Sequence, residues 1–81
     1  MCRSLAKEVA RRGITCNCVS PGFIDTDFIG NLSEEQKREY TQLVPCRRFG
    51  RPEEVAGGVI YLLGPQAGYV TGTVLEISGG L

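Results

Sequence analysis

The chain has 81 residues, enough for one small domain with a marginal core, since chains of this size typically bury only about 60 to 65% of their unfolded surface. Nine basic and nine acidic side chains cancel, with no block of one sign, which excludes the broad charged surface that nucleic acid or anionic lipid requires. The longest mostly apolar run, residues 55–63, falls far short of the roughly 20 residues that span a bilayer, so no membrane partner is expected.

In chain order, residues 2–12 place Leu5, Ala6, Val9 and Ala10 on one face and Arg3, Lys7 and Arg11 on the other, the pattern of an amphipathic helix. Arg11 and Arg12 suit its negative carboxyl end, and Gly13 can close it in the left-handed conformation. No capping residue precedes the periodic stretch, so the helix reads as cut rather than begun, and Met1 as the edge of a fragment or a late start. Residues 14–19 follow as a strand, with Ile14, Cys16 and Cys18 on one face and Thr15, Asn17 and Val19 on the other. Asn17 is the polar exception, and its amide is expected to tie neighbouring loops together.

The strand runs into Pro21-Gly22, followed by hydroxyl and carboxylate side chains at Thr26, Asp25 and Asp27. In parallel α/β sheets, ligands sit just beyond the carboxyl ends of strands. Pro21 donates no amide and Gly22 permits close approach, so the turn reads either as an ordinary strand-to-helix connection or as a surface against which a flat ligand lies. Residues 25–30 suggest a short helix. Ser33-Glu34-Glu35-Gln36 has capping-box spacing for a second one ending near Leu43. That helix has few apolar residues, chiefly Tyr40 and Leu43, so it reads either as a plain surface helix or as a lid.

Residues 45–51 form a basic, turn-rich connection, and Pro52-Glu53-Glu54 is a strong helix start. Apolar residues then surround residues 55–63 on nearly every side, so this helix is expected to be buried. Gly57 and Gly58 cost it roughly 1 kcal/mol each relative to alanine, a loss that another backbone packing there, in the same or another subunit, would explain. Gly64 and Pro65 stop it, and residues 73–77 form a second strand ended by Ser78-Gly79-Gly80.

Four cysteines, Cys2, Cys16, Cys18 and Cys46, and no histidine argue for free thiols rather than a zinc site or a disulfide scaffold, and hence for a reducing compartment. Two strands joined by a long helical crossover are expected to be parallel. Two-stranded parallel sheets occur almost only within larger ones. The predicted class is therefore α/β, the end of a doubly wound parallel sheet with two strands and three to four helices, incomplete as an independent fold.

Three motifs carry a resemblance: Asn17-Cys18-Val19-Ser20-Pro21-Gly22-Phe23-Ile24-Asp25-Thr26-Asp27, then Arg48-Phe49-Gly50-Arg51-Pro52-Glu53-Glu54-Val55-Ala56, then Tyr69-Val70-Thr71-Gly72 with Ser78-Gly79-Gly80. In this order, and preceded by Arg3-Ser4-Leu5-Ala6-Lys7-Glu8, they resemble the carboxyl-terminal third of the short-chain dehydrogenase/reductase family, and within it the 3-oxoacyl-acyl-carrier-protein reductases. The resemblance implies a Rossmann-like fold and reduction of a 3-oxoacyl thioester, or a similar carbonyl, by NADPH in fatty-acid synthesis. It implies that Pro21, Gly22 and Ile24 lie along the nicotinamide, with the Ile24 amide on the carboxamide, and that the Thr26 hydroxyl contacts the cofactor. Residues 23–44 would be the mobile substrate loop, with Phe28 and Tyr40 touching substrate. The last helix and strand would join subunits in a homo-oligomer, in the cytoplasm or an organelle matrix.

The family's glycine-rich phosphate loop and its catalytic Ser, Tyr and Lys have no counterpart in these residues: neither Tyr61 nor Tyr69 is followed four positions later by Lys. The 81 residues alone are expected to be inactive. The alternative expectation is a non-catalytic short polypeptide that pairs with an intact reductase subunit.

Overall fold

The computed structural model describes residues 2–81, and Met1 lies outside them. The amphipathic opening stretch forms α1 (Cys2–Val9) and tightens into a 3-10 turn, Ala10–Arg12. Gly13 ends it at φ 73°, with its N–H on the Ala10 carbonyl. The remaining elements are β1 (Cys18–Pro21), α2 (Asp27–Gly30), α3 (Glu34–Leu43), α4 (Pro52–Leu63), a 3-10 turn over Pro65–Ala67, and β2 (Val74–Ile77).

The two strands pair in parallel, with Cys18 opposite Val74 and Pro21 opposite Ile77. β1 therefore starts and ends later than the β-branched pattern predicts, because β2 offers no ladder partner before Val74. The chain ahead of β1 is held differently. Cys16 N–H donates to the Thr71 hydroxyl at 3.0 Å, and Gly72, at φ 78°, donates to the Cys16 carbonyl at 2.8 Å. Asn17 does bridge loops: its amide donates to Val70 O and accepts from Thr73 N–H, both at 3.1 Å.

α4 approaches the sheet through Gly58. A Cβ there would stand 2.5 Å from Ile77 Cδ1 and 3.2 Å from Leu75 Cδ2, so only glycine allows this spacing without moving β2 side chains. Gly57 faces open space. The expectation of a buried α4 fails for the same reason: two strands cover one face of a helix and no more. Ile60 is 69% exposed and Leu63 82%.

Only Ala6, Ile29, Val44 and Ala67 are buried among the described residues. The accessible surface is 6190 Å², whereas a folded monomer of this mass exposes about 4800 Å². The radius of gyration is 15.7 Å, against about 12 Å for a compact domain of this length. These residues thus form a scaffold with its apolar surfaces partly open, arranged along a 50 Å axis.

Candidate functional site

The site starts where β1 ends. Gly22 N–H donates to the Ile77 carbonyl at 3.0 Å, and a Cβ on Gly22 would lie 2.9 Å from Ser78 Cα. The Pro21-Gly22 turn is thus pressed directly onto the end of β2. Past the turn, Ile24 forms a parallel bridge with Gly50: Gly50 N–H donates to Phe23 O at 2.9 Å and Asp25 N–H to Gly50 O at 2.8 Å. In this geometry the residue between the two bonds turns its own N–H and C=O away from the partner strand. Among the described residues the Ile24 N–H has no hydrogen-bond acceptor.

The segment from Pro21 to Ile29 and the first turn of α4 enclose an open groove of about 530 Å³, walled by Pro21, Gly22, Ile24, Thr26, Phe28 and Val55, among others. This lies within the range of small-molecule sites. Thr26 is the N-cap residue of α2, yet its hydroxyl makes no capping bond, so it remains available to a ligand. The groove brings together five of the six residues predicted as cofactor or substrate contacts. The sixth, Tyr40, stands outside the wall and packs edge-on against Phe23, ring centroids 5.1 Å apart. That aromatic pair ties α3, which has no buried residue, to the loop. The α3 capping box is complete, with Ser33 Oγ accepting from Gln36 N–H at 3.1 Å and Gln36 Oε1 accepting from Ser33 N–H at 3.0 Å.

No wall residue of the groove is ionisable. It offers apolar faces, a free hydroxyl and a free amide, so it can hold and orient a flat amide-bearing ring but cannot donate or remove a proton.

Behind the loop stands a feature that sequence reasoning took only as a basic turn and a helix start. The Arg48 guanidinium grips the Glu54 carboxylate with two bonds, 2.8 and 2.9 Å, and Glu54 also accepts the Arg51 N–H at 3.0 Å. The Arg48 bond and the Arg51 amide together lower the Glu54 pKa to about 2. The only sequence signal for this fork is the spacing of Arg48, Arg51 and Glu54 around Pro52. At the opposite end of the sheet, Cys2 Sγ lies 3.9 Å from Cys16 Sγ. The neighbouring Cys18 and Cys16 thiols and partial desolvation push the Cys2 pKa up to about 11.

The family model described as Enoyl-(Acyl carrier protein) reductase matches residues 1–81. The chain belongs to the short-chain dehydrogenase/reductase family. Over 79 residues it is 51% identical to a 3-oxoacyl-[acyl-carrier-protein] reductase of Haemophilus influenzae, covering 98% of this chain and 33% of the relative. The corresponding enzyme of Aquifex aeolicus is 49% identical over 79 residues, 98% of this chain and 32% of the relative. Nodulation protein G of Azospirillum brasilense is 46% identical over the same length and shares. The chain thus spans about a third of the length of the curated relatives it matches. As a carboxyl-terminal portion of a short-chain dehydrogenase/reductase, it presents two strands of a larger Rossmann-like sheet, which accounts for the unpaired strand edges and open helix faces. No helix among the described residues is long and apolar enough to cross a membrane.

Proposed function

We propose that residues 1–81 are the nicotinamide-orienting and substrate-loop portion of an NADP-dependent reductase acting on a 3-oxoacyl thioester or a similar carbonyl. The observation that carries this reading is the groove at the end of β1, which joins Pro21, Gly22, Ile24, Thr26 and Phe28 in one non-ionisable wall. The residues fit the nicotinamide half of the cofactor. Pro21, Ile24 and Phe28 supply apolar faces for the ring, the free Ile24 N–H suits its carboxamide, and the uncommitted Thr26 hydroxyl adds a polar contact. Bound there, the cofactor would supply hydride. The chain's own residues hold the ring's orientation, so their share of the rate is positional.

Proton donation and phosphate binding require groups outside these residues. Phe28 on α2 and Tyr40 on α3 belong to the segment 23–44 assigned to the substrate, and the weak anchoring of α3 supports a loop that adjusts to it. The family resemblance further suggests homo-oligomerisation through α4 and β2, in the cytoplasm or an organelle matrix; on α4, Val59, Ile60 and Leu63 are exposed and offer an apolar stripe to the rest of the sheet or to a partner subunit. The same exposed stripe favours a second reading, a non-catalytic polypeptide that pairs with an intact reductase subunit.

The test uses a complete reductase chain carrying this segment beside residues 1–81 alone. The complete chain should reduce a 3-oxoacyl thioester with NADPH, and Thr26→Ala should raise the KM for NADPH while barely moving the melting temperature. The 81 residues alone should show no turnover. A Thr26→Ala variant with a large melting shift and an unchanged KM would contradict the assigned role.

A further inference from the structure

The Arg48–Glu54 fork borders a small cavity separate from the groove, shared with Phe23, Ile24 and Gly50, the residues of the bridge that shapes the cofactor loop. It spans the connection between α3 and α4, and Arg48 Nη1 also donates to the Phe49 carbonyl at 3.1 Å. The fork and the Arg51 N–H bond to Glu54 therefore fix both flanks of Gly50 to the first turn of α4. Gly50 in turn makes both hydrogen bonds of the bridge to Phe23 and Asp25. The packing there is tight as well: a Cβ on Gly50 would lie 2.9 Å from Ile24 Cδ1. Gly50 is thus both the hydrogen-bonding partner of the loop and the floor under the Ile24 side chain.

We propose that the Arg48–Glu54 pair is a positioning device for the cofactor, one that holds Gly50 in register so that the Ile24 N–H stays free and turned outward to a nicotinamide carboxamide. The inference rests on the functional reading above and assigns a role to two residues that do not themselves line the groove. Solvent exposure supports this division of labour. The Arg48 side chain is 56% exposed and that of Glu54 30%, and ion pairs so placed add little to stability. Their planar two-bond geometry nevertheless fixes direction. The pair should therefore set where the loop lies rather than whether the protein folds. Lysine cannot replace Arg48 in this role, because an ammonium group makes no such fork.

The test compares NADPH with a truncated nucleotide that keeps the 2′-phosphate, adenine and pyrophosphate but lacks nicotinamide, both binding to the complete chain. Arg48→Lys and Glu54→Gln should each weaken NADPH roughly three- to tenfold, the loss of about one well-aligned hydrogen bond. They should leave affinity for the truncated nucleotide and the melting temperature nearly unchanged. The reversed pair, Arg48→Glu with Glu54→Arg, should recover part of the NADPH affinity. Unchanged NADPH affinity in both single variants would overturn the inference while leaving the functional reading intact. Equal weakening of both nucleotides, accompanied by a lower melting temperature, would show the pair to be merely structural and would overturn it too. A wild-type complete chain that binds neither nucleotide would overturn the functional reading, and this inference with it.

Discussion

Gly22→Ala is the substitution on which the site's geometry makes its sharpest demand. The added methyl would lie 2.9 Å from Ser78 Cα, 3.0 Å from Ser78 Cβ and 3.3 Å from Ser78 O, where ordinary contacts need close to 3.5 Å or more. Its backbone angle is one that any residue adopts, so the cost comes from collision and not from φ. Relief requires the turn to move away from β2, and that lengthens the 3.0 Å bond from Gly22 N–H to Ile77 O. Overpacking of this kind costs about 1 to 3 kcal/mol and the weakened bond about 1 more. Taking about 3 kcal/mol, a complete reductase about three times this chain's length should melt roughly 6 to 12 °C lower. The same displacement shifts the Ile24 amide and Thr26 hydroxyl, so the KM for NADPH should rise and kcat fall by about tenfold or more. Calorimetry and steady-state kinetics read the two effects, with Gly30→Ala as a control because a Cβ there meets nothing within 4 Å. A Gly22→Ala enzyme that melts within 1 °C of wild type, an interval set at about the scatter of such measurements, with unchanged NADPH kinetics, would refute the close packing of turn on strand.

Gly58→Ala should destabilise a complete chain by about 1 to 3 kcal/mol, because the added methyl would stand 2.5 Å from Ile77 Cδ1, and an unchanged melting temperature would contradict the packing of α4 on β2. Asn17→Ala removes both loop bonds and should cost about 1 to 3 kcal/mol in chemical denaturation, with little change in the KM for NADPH. Glu54 has its pKa lowered from 4.5 to about 2 by the Arg48 fork and the Arg51 N–H, so the small contribution of the pair is present above pH 4.5 and disappears as pH falls toward 2; a side-chain carboxyl NMR titration of the complete chain should place the Glu54 midpoint well below 4.5, and a midpoint at 4.5 would contradict the fork. Residues 1–81 alone expose about 1400 Å² more than a compact monomer of their mass, and size-exclusion and amide-exchange measurements should find a molten, aggregated or dimeric species; a monomer with strongly protected residues 74–77 would contradict this.

The features legible in the sequence are those fixed within a few residues of chain. The Ser33 capping box, the Pro52 helix start and the Gly13 stop each depend on bonds spanning three or four positions, and each forms as read. Asn17 was legible for a different reason, since a half-buried amide on an apolar strand has to find partners. The misread features depend on distant partners. β1 occupies Cys18–Pro21 because β2 sets the register, and nothing local to Ile14 reveals that. Gly57 and Gly58 are chemically identical, and only the placement of Ile77 and Leu75 separates them. The Ile24–Gly50 bridge joins loops 26 positions apart, and the motif on each side gives no sign that they meet. Tyr40 could be placed on the substrate segment, but its packing on Phe23 depends on how α3 returns over the loop.

The pairing of Cys18 with Val74 also has a consequence for synthesis. The partners lie 56 positions apart, so every contact between the strands is non-local and closes a long loop, the arrangement that slows folding most. At translation rates of about 5 to 20 residues per second, roughly 3 to 11 s separate the synthesis of β1 from that of β2. During that interval its ladder groups on the β2 side and the Pro21-Gly22 turn have no partner from this segment. The loop after Pro21-Gly22 acquires its shape only when Ile77 and Ser78 arrive beneath Gly22, so the candidate site forms with the docking of β2 and not with the synthesis of its own residues.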